Sequence, residues 1–114
     1  MRIESYSFGR IKVDGSIYEN DLIVYPDRVE PEWWREEGHS LCPEDLKTIV
    51  EYEPDTLVIG TGDQGRMTVP PGTESFLKEK GITVVSGPTE KMSRLFNEKV
   101  DHNEKVAGAF HLTC

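Results

Sequence analysis

The sequence predicts a single three-layer α/β domain over residues 1–114, with a small β-rich part on its amino-terminal side. Three observations support this. Apolar residues gather in compact runs at Leu22 to Tyr25, Leu57 to Ile59, Ile82 to Val85 and Val106 to Leu112. Amphipathic stretches of helical spacing alternate with the later runs, and turn pairs punctuate the first third. Strands apolar on both faces, alternating with amphipathic helices, indicate a sheet covered on both sides. A chain of 114 residues fits the one-domain prior and removes roughly two-thirds of its unfolded surface from water, enough for a core without staples.

Taken in order, Arg2 to Phe8 and Ile11 to Val13 read as strands separated by Gly9-Arg10. Asp14-Gly15 is a hairpin signal because both turn positions tolerate positive φ. Asp21 to Tyr25 forms the next strand, closed by Pro26, which cannot donate to a continuing ladder. Residues 27–42 are irregular, bulky and polar. A helix opens at Cys42-Pro43-Glu44-Asp45, with Pro43 at the first helical position and two acids on the positive end of the dipole. Leu46, Ile49 and Val50 form its apolar stripe and Pro54 ends it. Thr56 to Ile59 is a strand. Thr73 to Lys80 is a short helix, capped by Thr73 and stopped by Gly81, and Ile82 to Val85 is a strand again. Pro88 to Val100 is a longer helix with Met92, Leu95, Phe96 and Val100 on one face. Lys105 to Leu112 is a final strand whose direction the pattern leaves open. No repeat, low-complexity tract or linker interrupts the chain.

Thirteen Lys and Arg against 21 Asp and Glu give a formal charge of −8. That sign opposes approach to phosphate backbones and anionic bilayers, so neither nucleic acid nor membrane is an expected partner. Basic protein partners, or plain solubility, fit better. No apolar run approaches the roughly 20 residues that cross a bilayer. Neither a secretory signal nor an Arg-rich presequence opens the sequence, so a cytoplasmic location is expected. Cys42 and Cys114 are then expected as free thiols.

Several segments together resemble a known family. They are Phe8-Gly-Arg-Ile-Lys-Val-Asp-Gly15, Tyr18-x-x-Asp21, Trp33-Trp-Arg35 with Gly38-His39, Gly60-Thr-Gly62 after a strand, Asn97, and Val106-Ala-Gly-Ala-Phe-His-Leu-Thr-Cys114. Their order and spacing are similar to the adipogenesis-associated Mth-type domain family, which includes a mitochondrial complex I assembly factor and many bacterial and archaeal proteins. The resemblance spans nearly the whole chain. It implies an α/β fold with a mixed central sheet and a hammerhead-like hairpin region, and no established enzymatic activity; no cofactor is expected. The Trp-Trp-Arg segment and the terminal His-x-Thr-Cys resemble the adipogenesis-associated branch more than the mitochondrial factor.

Two groups of residues are candidate sites. Gly60, Thr61, Gly62 and Gln64 follow one strand, and Ser86 and Thr89 open the long helix after the neighbouring strand. In an open α/β sheet, ligands collect beyond the carboxyl ends of strands, and glycines and helix amino termini there present free N–H groups to anions. If the two strands are adjacent, these residues border one crevice for a small molecule or anion. The competing reading is a tight turn of positive φ and an ordinary helix cap at Ser86 or Gly87. The second group is Trp33, Trp34, Arg35 and His39. Aromatic and Arg side chains are enriched where proteins dock, which suits a protein partner or a homodimer; the competing reading is that one or both rings cover the core.

Catalytic and metal chemistry find less support. His39-x-x-Cys42 and His111-x-x-Cys114 repeat one spacing, yet His111 falls within a strand and Cys114 ends the sequence, so chance outweighs a zinc site. Cys42 stands at a helix amino terminus, a position that lowers a thiol pKa, with His39 near in sequence. No Gly-x-Ser-x-Gly elbow accompanies them. The expected function is therefore a non-enzymatic interaction, assembly or regulatory role, with binding of a small molecule or anion as the alternative.

Overall fold

All residues, 1–114, are described by the computed structural model. The strands are β1 (Ile3–Ser7), β2 (Arg10–Val13), β3 (Ser16–Tyr18), β4 (Leu22–Val24), β5 (Val29–Glu30), β6 (Thr56–Thr61), β7 (Thr83–Gly87) and β8 (Val106–His111). The helices are α1 (Lys47–Tyr52), preceded by a 3₁₀ turn at Pro43–Leu46, then α2 (Pro71–Glu79) and α3 (Thr89–Asp101).

β1, β2 and β3 form an antiparallel sheet in that order. Asp14 and Gly15 take φ of 46° and 82°, the paired positive values of a type I′ hairpin. The second sheet is mixed, ordered β5-β4-β8-β6-β7. Its three central and outer strands β8, β6 and β7 are parallel, while β4 is antiparallel to β8 and β5 to β4. The last strand therefore runs with β6, which periodicity leaves undecided because a strand buried on both faces carries no directional mark.

The continuous apolar runs divide their residues between two cores. Ile23, Leu57, Ile59, Ala107 and Ala109 pack with Leu46, Ile49 and Leu77 on the face under α1 and α2. Leu22, Val24, Val58, Val106 and Phe110 point the other way, onto Met92 and Phe96 of α3 and onto Ile3, Ile11 and Val13 of the small sheet. Alternation of side chains across the pleat makes each run apolar throughout. The small sheet and α3 thus cover one face and α1 with α2 the other, giving three layers.

Several expected boundaries move. The first helix divides into a 3₁₀ turn and α1, and ends at Glu53 with φ 56° immediately before Pro54. α2 starts at Pro71, with Pro70 in the cap position; Thr73 lies inside the first turn and its hydroxyl donates to Leu41 O at 2.8 Å instead of capping. Neither Ser86 nor Gly87 caps α3. Both belong to β7, and Pro88 takes the cap position with its extended φ and ψ. β3 is a strand that the sequence pattern hides, since Ser16 and Ile17 are both exposed. Asn97 of α3 closes the free edge of β1: its Oδ1 accepts from Ile3 N at 2.9 Å and its Nδ2 donates to Ile3 O at 2.8 Å. No helix is long and apolar enough to cross a membrane.

Candidate functional site

β6 and β7 are parallel with Gly60 opposite Gly87, so the two glycine-bearing turns leave the sheet at one end. Gly60, Thr61, Gly62 and Thr89 are brought together there. The space between them is filled by Thr89, which is fully buried. Its hydroxyl accepts from Gly62 N at 2.9 Å and donates to His111 O at 2.6 Å. Thr61 Oγ1 donates to Gly87 O at 2.9 Å. A Cβ on Gly60 would stand 2.7 Å from Phe110 Cδ1 and 2.8 Å from Thr89 Oγ1. Gly62, at φ 109°, has the carbonyl of Thr113 where its Cβ would be, 2.4 Å away. Close approach of α3 and the β8 tail to this rim accounts for both glycines. Gln64 and Ser86 point to solvent and join none of these bonds.

The second candidate group is divided by burial. Trp33 is in the core, 7 % exposed, with its Nε1 donating to Asp45 O at 2.9 Å, whereas Trp34 is 82 % exposed. Residues 31–34 follow no strand or helix period, so two adjacent rings take opposite faces. Arg35 is not part of a flat docking patch. Its side chain is 5 % exposed and its Nη1 lies 2.7 Å from Asp21 Oδ2, an ion-pair contact without hydrogen-bond alignment. A guanidinium taken out of water needs that countercharge. Arg35 Nη2 donates to Gly38 O at 3.0 Å, and the guanidinium lies 4.8 Å from the Trp33 ring centre.

Asp21 joins three parts of the chain. Its Oδ2 is 2.8 Å from His111 Nδ1 and its Oδ1 accepts from Leu112 N at 2.8 Å. Burial pushes the Asp21 carboxyl up, but the bonds from His111 and Leu112 and the charge of Arg35 outweigh it and hold the carboxyl below its ordinary value. His111 Nδ1 also lies 3.1 Å from Arg35 Nη2, so this ring nitrogen meets a carboxylate and a guanidinium together, while Nε2 is buried and without a partner. The exposed His39 meets His111 edge to face, ring centres 5.7 Å apart. Asp21 and His111 appear in the sequence only as members of longer motifs; nothing local marks them as partners, since 90 residues separate them.

No three of the His, Cys, Asp and Glu side chains converge to hold a metal ion. Cys42 departs from the helix-terminus expectation. Desolvation, together with Asp45, Glu44, Glu36 and Glu37, pushes its thiol up rather than down. A four-residue 3₁₀ turn has too small a dipole to offset those carboxylates.

Above the Asp21 network lies an open cleft of about 620 Å³, lined by Glu19, Asn20, Asp21, Trp33, Trp34 and others. A second hollow of about 300 Å³, which includes Ile17, Tyr18 and Pro31, shares Glu19, Asn20 and Glu32 with it. The two form one groove. Ile17, 49 % exposed, stands at one end and Trp34 at the other.

The family described as "Protein of unknown function (DUF498/DUF598)" matches residues 3–111, and the chain belongs to it. Among solved structures it is similar to a conserved hypothetical protein from Pyrococcus horikoshii OT3, with 27 % identity, a TM-score of 0.83 and 100 % of each chain covered. It is also similar to a Bordetella pertussis protein described as a Mth938-like domain, with 16 % identity and a TM-score of 0.80 over 97 % of this chain and 85 % of that one. A third, MT938, matches with 23 % identity and a TM-score of 0.78 over 99 % of this chain and 98 % of that one. The fold is thus Mth938-like, in agreement with the resemblance read from the motifs.

Proposed function

We propose that this chain is a non-enzymatic interaction module that acts in assembly or regulation by holding a protein partner against the surface around Trp34. The supporting observation is the contrast between the two tryptophans. Trp33 and Arg35 are packed into a buried network while Trp34, between them, is left 82 % exposed. A rigid, exposed aromatic ring held by a buried scaffold gives a partner large contact area at little entropic cost. The alternative, a small-molecule or anion site at Gly60–Gly65 and Ser86–Thr89, is disfavoured because the Thr89 side chain already occupies and satisfies that rim.

The test is affinity capture with the wild type, Trp34→Ala and Phe8→Ala. Phe8 is another exposed apolar side chain, 62 % exposed and outside the groove, and serves as the control. A partner retained by Phe8→Ala and lost by Trp34→Ala is expected. Identical partner sets for all three proteins would overturn the proposal. Both substitutions are at the surface and are expected to change folding stability by only about 0.5 kcal/mol.

A further inference from the structure

Resting on the Trp34 reading, we infer that the groove from Ile17 to Trp34 receives an extended protein segment that places a single Lys or Arg between two apolar residues. The groove has a particular arrangement. Its ends are two of the three large apolar side chains that the surface exposes, Ile17 and Trp34. Its middle, common to both hollows, holds Glu19 and Glu32.

The charges in the groove are unequal in kind. Asp21 is neutralised by Arg35. Glu19 and Glu32 take part in no ion pair, and no Lys or Arg lines either hollow. A cation entering the groove therefore meets two free carboxylates and the face or edge of an exposed indole. Ammonium and guanidinium groups are attracted to both, by Coulomb interaction and by the ring quadrupole. An anion or a nucleic-acid backbone is repelled. A second copy of this chain, itself at −8, is a poor occupant for the same reason. The neighbouring apolar residues of the segment would cover Ile17 and the rest of the indole, removing apolar surface from water.

The inference is tested with acetylated, amidated pentapeptides Leu-Ala-X-Ala-Leu in which X is Arg, Lys, citrulline or Glu. The readout is the Trp34 indole N–H resonance. The Arg and Lys peptides are expected to shift it saturably, and citrulline or Glu at the same position should weaken binding by about fivefold or more. The Glu19→Gln/Glu32→Gln protein should lose a similar factor, and Trp34→Ala about tenfold, read from the groove amides. A control of equal charge, Glu51→Gln/Glu98→Gln, removes two exposed carboxylates elsewhere and should bind as the wild type does.

Equal binding of the Arg and citrulline peptides would overturn the basic-residue inference and leave Trp34 docking intact. Equal weakening by both double variants would overturn it in favour of diffuse charge attraction. Self-association that competes with the peptides would make a second copy the occupant, and would overturn it as well. Failure of every peptide to shift Trp34 overturns the inference alone, because the capture experiment judges the broader reading without reference to charge.

Discussion

Asp21 Oδ2 stands 2.8 Å from His111 Nδ1 and so ties the start of β4 to the end of β8 across 90 residues of sequence. The same oxygen is 2.7 Å from Arg35 Nη1. One carboxylate thereby anchors a buried imidazole, neutralises a buried guanidinium and holds the segment that carries Trp34.

Replacement of Asp21 by Asn should therefore be costly, and the cost should depend on pH. The bonds to Asp21 hold its carboxyl below the ordinary 3.8 in the folded chain. In acid the unfolded chain then binds more protons than the folded one. The stabilisation is present above the ordinary value and is lost as pH falls through the lower folded value. Near neutral pH, Asp21→Asn leaves Arg35 buried without its countercharge, and about 3 kcal/mol or more should be lost in urea unfolding. As pH falls through the lowered folded value, the gap between wild type and variant should narrow, since the wild-type carboxyl then takes up its proton. A gap of constant size across that range would show that the charge on Asp21 is not what stabilises the network.

The rim at Gly60 gives a second prediction. A Cβ there meets Phe110 Cδ1 at 2.7 Å and Thr89 Oγ1 at 2.8 Å, with the backbone Cα of Thr89 at 3.1 Å. Phe110 and Thr89 are both fully buried, so neither can swing into solvent. Gly60→Ala should cost about 1–3 kcal/mol through overpacking. Thr89→Val keeps the volume but removes a donor and an acceptor, leaving Gly62 N–H and His111 C=O unpaired. A loss of about 2 kcal/mol or more is expected. Thermal unfolding of both variants checks this, and a near-neutral Gly60→Ala would mean that α3 shifts away from β6 at little cost.

How far these relationships were legible in the sequence depends on how local their causes are. The central strands were readable because Leu22, Ile23 and Val24, or Leu57, Val58 and Ile59, feed two opposite cores from one continuous run. The hairpin at Asp14-Gly15 was readable because its two positive φ values are a property of those residues alone. Thr73 and Ser86 resemble helix caps in sequence. The hydroxyl of Thr73 instead meets Leu41, 32 residues away, a partner that no local pattern displays. The same holds for the site. Trp33, Trp34, Arg35 and His39 stood out by residue type, but which ring is buried follows from Asp45 and the core, and the role of Arg35 follows from Asp21 and His111. Gly60, Gly62 and Thr89 share one rim because β6 and β7 are parallel neighbours. Whether a rim is open or filled depends on side-chain volumes at Phe110 and Thr89 that spacing does not encode.

The thiols give the last prediction, because Cys42 combines a position that favours a thiolate with surroundings that oppose one. It precedes a 3₁₀ turn, and its N–H donates to Asp45 Oδ2 at 2.9 Å. Desolvation and the carboxylates of Asp45, Glu44, Glu36 and Glu37 raise its thiol above the ordinary 9.0, while Cys114 is exposed. The thiolate is the reacting form, and near pH 7 a thiol raised in this way holds only about 1 % of it or less. With Cys42 and Cys114 each left as the single cysteine, uncharged iodoacetamide should alkylate Cys114 several times faster than Cys42. The Cys42 rate should keep climbing as pH rises past about 9, since its thiolate is still forming there. Glu36→Gln/Glu44→Gln removes two of the opposing carboxylates and should speed alkylation of Cys42 without unfolding the chain, both side chains being exposed. Rapid alkylation of Cys42 that levels off near neutral pH would mean that the amino-terminal position prevails over the acidic surroundings, and would make this thiol a reactive one.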